Sequence, residues 1–234
     1  MMTTGILDAL MRLFALFASG RSAREAMVGR QVASRYLLGR LSRSVTEDYL
    51  KRYDEALVKL NRKMPPSTDP VLLAKRKSKL SVKLLVLCNK VKGELTAKDR
   101  LVVFIRLAEL AKSTGTIDDS DSFLNAVGNA LNLLENDLDV LKQFVKINSR
   151  DEALPYEMTG GSIFAMPVGE GHGEQPLLLC RTSMEDMFFV KDIARGDLRL
   201  NGVPIVQSCC LPMTQGSVVK DAAGHSLFFS DILQ

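Results

Sequence analysis

The residues with the chemical reach for catalysis are few and scattered. The two histidines, His172 and His225, stand among Gly, Ala, Ser and Glu in loop-like contexts, and no His-Glu-x-x-His pattern occurs. The four cysteines are Cys88, Cys180, Cys209 and Cys210, a spacing that makes neither a disulfide framework nor a zinc site. A reducing compartment suits them. The adjacent pair Cys209-Cys210 lacks a basic neighbour to lower a thiol pKa, so two structural cysteines are the better reading. Gly-Lys occurs nowhere, so the phosphate loop of an ATPase is missing from the sequence. Gly169-Glu-Gly-His-Gly173 is glycine-rich, but its acid opposes phosphate and it reads as a mobile surface loop. Nothing joins a nucleophile to a base and an oxyanion donor. The chain is expected not to be an enzyme and to hold no cofactor or metal.

Cationic side chains are more abundant. Arg21, Arg24, Arg30, Arg35, Arg40 and Arg43 crowd one helical region, and Lys75, Arg76, Lys77, Lys79 and Lys83 crowd another. Gly29-Arg30 and Gly39-Arg40 read as helix interruptions. A charge run is first of all a solvated helix face. Docking on anionic lipid headgroups comes next, since each Lys or Arg near such a surface adds about 1 kcal/mol. Nucleic acid comes last, because no recognised motif and few interleaved aromatics accompany the cations. Residues 1–100 hold 21 Lys and Arg against 9 Asp and Glu, whereas residues 151–234 hold 5 against 11, within a net charge of +4. This asymmetry predicts docking between the two parts or a basic face for an anionic partner.

The elements that must position these residues change character near residue 150. A hydrophobic content of 46% with 25% charged residues belongs to a folded chain, and no run approaches 18 uninterrupted apolar residues. Before residue 150, apolar residues recur at three- and four-residue steps, predicting helices over about 6–18, 24–41, 46–63, 70–91, 97–112, 119–134 and 136–145. Ile6, Leu10, Leu13, Phe14 and Phe17 share one face of the first, with Asp8 and Arg12 interrupting, so it reads as a core helix rather than a signal sequence. Thr46 is the expected cap of the third, with Glu47 and Asp48 in its first turn. Met64-Pro65-Pro66 ends it. Asp69-Pro70 supplies a cap and an N1 proline to the fourth, Gly93 stops it, and Thr96-x-x-Asp99 caps the fifth.

After residue 150 the pattern becomes FFVKD, DLRLNG, VPIVQ, GSVVK and SLFFSDI, short β-type runs separated by Gly, Pro, Asp and Ser. Asn201-Gly202 lies between Leu198-Arg199-Leu200 and Val203-Pro204-Ile205 and predicts a type I′ hairpin, whose central residues both need φ > 0. This order resembles the second half of a forkhead-associated (FHA) domain, a β-sandwich that reads phosphothreonine with Gly-Arg, Ser-x-x-His and Asn-Gly. Asn201-Gly202 is present here, and Arg181 and Ser183 offer donors. No Gly-Arg lies in residues 150–234, and Ser183 is followed by Met184-Glu185-Asp186 without a histidine. Glu185, Asp186, Asp192 and Asp197 make a phosphate dianion a poor guest. The β part is therefore expected to serve as a docking scaffold, with Asn201, Gly202, Arg181 and Ser183 as candidate interaction residues.

Within the helical part, the stretch from Ala9 to Ser19-Gly20 is similar to the stretch from Val103 to Thr114-Gly115. The pairing resembles the internal duplication of TerB-like domains, whose Ala-Asp-Gly-x-Ile-x-x-x-Glu loops gather acids around a cation. Gly115, Ile117 and Asp121 follow that pattern, but Ser19 and Thr114 stand where the aspartates would be, so the resemblance implies the fold and not the metal. From Ile6-Leu-Asp-Ala-Leu-Met11 to Ser230-Asp231-Ile232, the chain resembles the region that precedes the ATPase in a group of ABC transporter ATP-binding proteins from the Bacteroidetes. That resemblance implies a multidomain α + β chain: an all-α TerB-like bundle over residues 1–148, then a small FHA-like β-sandwich over 158–234. It further implies a non-catalytic regulatory or docking region, cytoplasmic and at the inner face of the cytoplasmic membrane. Its partners would be an ATPase domain following residue 234 and a membrane permease subunit or domain. The alternative is a stand-alone binding module for a phosphoprotein or an anionic membrane surface.

Overall fold

The computed structural model describes residues 4–20, 22–38, 41–63, 69–114, 121–168, 177–184, 186–193, 197–206 and 209–233, apart from the side chains of residues 4–6, 73 and 77. Helices come first: α1 (Thr4–Ala18), α2 (Ala23–Leu38), α3 (Arg43–Lys63), α4 (Pro70–Lys92), α5 (Ala97–Ser113), α6 (Asp121–Ala130), α7 (Glu135–Lys146) and α8 (Arg150–Met158). Strands follow: β1 (Ile163–Met166), β2 (Leu177–Arg181), β3 (Met187–Lys191), β4 (Arg199–Leu200), β5 (Val203–Pro204), β6 (Cys210–Thr214), β7 (Val218–Lys220) and β8 (Ser226–Phe228), closed by a 3-10 turn at Phe229–Leu233. The chain is mixed, helical first and β second. Two compact units divide it, Met1–Leu133 and Leu134–Gln234, so α7 and α8 lie with the strands, whereas the sequence reading groups residues up to 148 with the helices.

In the first unit, α1 and α5 are the buried helices. Leu10, Leu13 and Phe14 of α1 are inaccessible to solvent or nearly so, as a core helix requires, and the whole span Leu101–Ala111 of α5 is buried. That span includes a charged pair, Arg106 Nη1 to Glu109 Oε2 at 2.6 Å, one turn apart. The predicted caps at Asp69 and Thr96 are present: Asp69 accepts from Val71 N at 2.8 Å, and Thr96 Oγ1 accepts from Asp99 N at 3.2 Å. Ser22 and Glu25, not singled out from sequence, cap α2 reciprocally, with Ser22 N donating to Glu25 Oε2 at 2.9 Å and Glu25 N to Ser22 Oγ at 3.3 Å.

Three boundaries differ from expectation. Thr46 is not a cap: α3 begins a turn earlier, at Arg43, and Thr46 is buried with its hydroxyl lacking a hydrogen-bond partner among the described residues. Gly29 does not interrupt α2. It sits buried in a continuous helix because a Cβ there would lie 2.5 Å from Tyr53 Oη, so glycine admits the tyrosine ring. Helix α6 stops at Ala130 rather than 134, because Asn132 turns left-handed (φ 54°) and Leu133 N bonds back to Gly128 O at 3.0 Å. Gly39-Arg40 and Met64-Pro65-Pro66 lie outside the described residues.

The second unit begins with two helices. The segment between the two expected domains forms α8, whose interior Pro155 hides it from a helical reading. Its start is marked by Ser149 Oγ accepting from Glu152 N and Glu152 Oε2 accepting from Asn148 N at 2.7 Å. The strands then form two antiparallel sheets, β1-β2-β3-β6 and β5-β4-β7-β8. Leu177, Leu179, Phe188, Val190 and Met213 of the first pack with Leu200, Val219 and Leu227 of the second in one core. Because side chains alternate along a strand, Leu178, Cys180, Phe189 and Lys191 point to the opposite face, and they too are buried. Helices α7 and α8 pack against β2 and β1, so this sheet is covered on both sides. Asn201 (φ 51°) and Gly202 (φ 82°) make the predicted I′ hairpin, with Leu200 opposite Val203.

Candidate functional site

The four candidate residues of the β part each meet partners inside the second unit. Asn201 Oδ1 accepts from Val218 N at 2.9 Å, its Nδ2 donates to Ser217 Oγ at 3.3 Å, and its backbone N donates to Val218 O. The amide thus ties the β4–β5 hairpin to β7. Gly202 supplies the second left-handed residue of that turn, and its carbonyl accepts from Arg199 Nη1 at 3.3 Å. Arg181 ends β2 with its guanidinium over two rings, 5.6 Å from the Phe164 centroid and 5.8 Å from that of Phe188. Ser183 donates to the buried carboxylate of Asp137 twice, from N at 2.8 Å and from Oγ at 2.5 Å. The structure does not converge these side chains on a common point.

Two residues that the sequence reading passed over carry this part of the fold. Asp137, 2% exposed in the first turn of α7, takes the Ser183 bonds where the helix dipole also favours negative charge. Lys191, fully buried at the end of β3, donates through Nζ to Phe144 O at 3.1 Å, Val145 O at 3.0 Å and Ile147 O. Those are carbonyls at the end of α7, which lack helical partners. The sequence signal was a lysine in an otherwise apolar strand run. A concavity of about 490 Å³ beside the Asn201 contacts is lined by Gln215, Ser217, Phe228, Ser230 and Asp186, the last being the charged side chain among its described lining. An acid there disfavours phosphate.

The basic candidates divide. Arg30 is paired, its Nε 3.0 Å from Asp54 Oδ2 and its Nη2 3.4 Å from Glu47 Oε2; the bond it donates to Asp54 raises the guanidinium pKa. Arg76 packs half-buried against Gly20 (φ 78°), where a Cβ would meet its guanidinium at 2.2 Å, and burial lowers its pKa. Arg30 is thus at the surface but already answered by two carboxylates, and Arg76 is partly withdrawn from solvent. Arg35 lies exposed in the last turn of α2, and Arg43 opens α3. Arg21 and Arg40 lie outside the described residues, as do the Lys77 side chain, the 169–176 loop with His172, Glu185, and the acidic stretch at 115–120. Lys75 and Lys79 are exposed on α4, and α3 brings Lys59 and Lys63 close to Lys83 beside them.

Cys88 is buried and its thiol is pushed up to about 12 by burial; Cys180 is raised first by burial and then by the charge of Asp137. Cys209 and Cys210 are likewise buried and form no disulfide. His225 Nδ1 lies 2.8 Å from Asp221 Oδ2 across the β7–β8 turn, as a hairpin residue should. No helix among the described residues is long and apolar enough to cross a membrane. No family model matches the chain, and neither the curated proteins nor the solved structures contain a match.

Proposed function

We propose that this chain is a non-catalytic docking region of an ABC transporter ATP-binding protein, with a TerB-like helical part and an FHA-like sandwich that holds a partner rather than a phosphothreonine. The observation that supports it is the internal use of Asn201, whose side-chain amide joins β4–β5 to β7. Arg181 and Ser183 point the same way, one lying on aromatic rings and the other bonded to Asp137. The partners are the ATPase domain of the same polypeptide and a membrane permease, at the cytoplasmic face of the membrane.

An array of phosphothreonine peptides probed with the full chain tests the sandwich. No selective binding is expected. Binding that disappears in an equally stable Asn201→Asp variant would make the sandwich a phosphopeptide reader. Reading the coding frame beyond residue 234 tests the transporter assignment: a phosphate loop and Leu-Ser-Gly-Gly-Gln downstream support it, and an immediate stop codon removes it.

A further inference from the structure

Helix α4 has a well-defined inward face, where Leu84, Cys88 and Val91 are buried. Its outward face is not the polar surface that a solvated helix carries. Val71, Val82 and Val86 are 74%, 60% and 64% exposed, and they interleave with exposed Lys75, Lys79 and Lys90 at steps of three and four residues. Between α3 and α4 runs a groove of about 430 Å³ with an apolar wall that includes Leu60, Val82 and Val86 and a rim of Lys59, Lys63 and Lys83. Glu55 and Asp8 also line it, but Asp8 is held by Arg12 at 2.7 Å and faces Arg52 at 3.7 Å. Among the described residues, Lys59, Lys63, Lys79 and Lys83 form no ion pair. Burial, then crowding by Lys63, Lys59 and Lys79, lowers the Lys83 pKa. The four lysines therefore outnumber Glu55, the carboxylate in that lining not already held by an arginine.

The geometry points to a membrane-docking face: α4, with the adjoining groove, seats on a bilayer containing anionic phospholipid, the valines entering the acyl boundary and the lysines meeting headgroup phosphates. Exposed apolar residues within a cationic face are what an interfacial helix needs. Nucleic acid would engage the lysines and leave Val71, Val82 and Val86 without a role. A symmetric dimer through this face would set one copy's lysines against the other's, a like-charge arrangement. The inference goes beyond the docking role of the sandwich and concerns a separate surface, so either can fail alone.

Co-sedimentation of the full chain with phosphatidylglycerol-containing vesicles, and with phosphatidylcholine vesicles as comparison, tests it. Binding to the anionic vesicles alone is expected. It should weaken as salt rises from about 0.15 M to about 1 M, where the Debye length falls from about 8 Å to about 3 Å. Lys79→Glu with Lys83→Glu should reduce binding more than about ten-fold, since each lysine is worth roughly five-fold. Val82→Ser with Val86→Ser, on exposed positions that keep the fold, should reduce it at constant charge. Equal binding to both vesicle types, or none to the anionic ones, would overturn the proposal. So would serine variants that bind as the parent does, which would leave a generic polyanion patch. A concentration-dependent dimer in sedimentation that the serine variants abolish would assign the face to a second copy instead.

Discussion

Ser183 and Asp137 form a two-pronged contact: the amide and the hydroxyl of the serine both end on one carboxylate, at 2.8 and 2.5 Å. The carboxylate is buried, so the serine is what keeps its charge solvated. Ser183→Ala should therefore destabilise the second unit by about 1–3 kcal/mol, the range for leaving a buried acceptor short of a donor. Urea unfolding monitored by circular dichroism measures it. A loss below about 0.5 kcal/mol would mean that water replaces the hydroxyl.

Lys191 secures the other end of the same helix. Lys191→Met keeps the length of the side chain but removes the donors to the carbonyls of Phe144, Val145 and Ile147. Unfolding should become easier by roughly 2–4 kcal/mol, as for a lost charged hydrogen-bond group with buried acceptors left over. Hydrogen exchange should quicken in the last turn of α7 before it does in β3. Unchanged protection there would remove the capping role.

Gly29 separates propensity from packing. Alanine is favoured over glycine within a helix by about 1 kcal/mol. At this position its Cβ would fall 2.5 Å from Tyr53 Oη and 3.3 Å from Ala18 Cβ, so Gly29→Ala should instead destabilise by about 1–3 kcal/mol. Tyr53→Phe removes the clashing atom along with its bond to Ala26 O. The double variant should lose less than the two single losses added together, and a thermal-melting cycle reads that coupling.

Asn201 discriminates between two similar replacements. Asn201→Ala loses the acceptor for Val218 N and strains the left-handed backbone, for a loss of about 2 kcal/mol. In Asn201→Asp, one carboxylate oxygen still accepts from Val218 N. Ser217 Oγ, which itself accepts from Thr214 N at 3.2 Å, can turn its proton toward the other. A change within about 0.5 kcal/mol is expected. Melting curves that place the two variants together would argue against this hydrogen-bond account.

The thiols should be silent in the native state. Burial disfavours the thiolate of Cys88, pushed up to about 12, so at pH 8 the neutral form prevails, and raising the pH to 9 should not expose a nucleophile. Cys180, Cys209 and Cys210 are buried as well. An aromatic disulfide reagent should react only after urea is added, and then with all four. Rapid reaction in native buffer would place at least one thiol at a surface.

The division into helices and strands was legible because each rests on local patterns: helical spacing from Leu10 to Phe17, the caps at Asp69 and Thr96, and Asn201-Gly202 with its positive φ angles. Features that depend on distant neighbours were not. Thr46 has the composition of a cap, but burial against the rest of the first unit took it into the helix interior. Gly29 looked like a break because nothing in its vicinity announces Tyr53, which arrives from α3. Pro155 concealed α8, although Ser149 and Glu152 marked its start. The uninterrupted apolar runs Leu177–Cys180 and Met187–Val190 did carry a signal, that of a strand covered on both faces, and with it the need for a helix on the far side. Among the candidate site residues, Asn201 and Gly202 were placed correctly in the turn. The pairing of Arg30 and the partial burial of Arg76 were not legible, because Asp54 and Gly20, against which they lie, are remote in sequence.

Helix α7 is pinned at its start by Ser183, just beyond β2, and at its end by Lys191 of β3. A cut at residue 148 or 158 would strand a buried ammonium with no carbonyls to meet and a serine with no acid. The smallest transferable block is therefore the sandwich together with residues 134–158. A gene fusion or transplant that carried the strands without that helix would deliver a piece unable to keep its own lysine under cover.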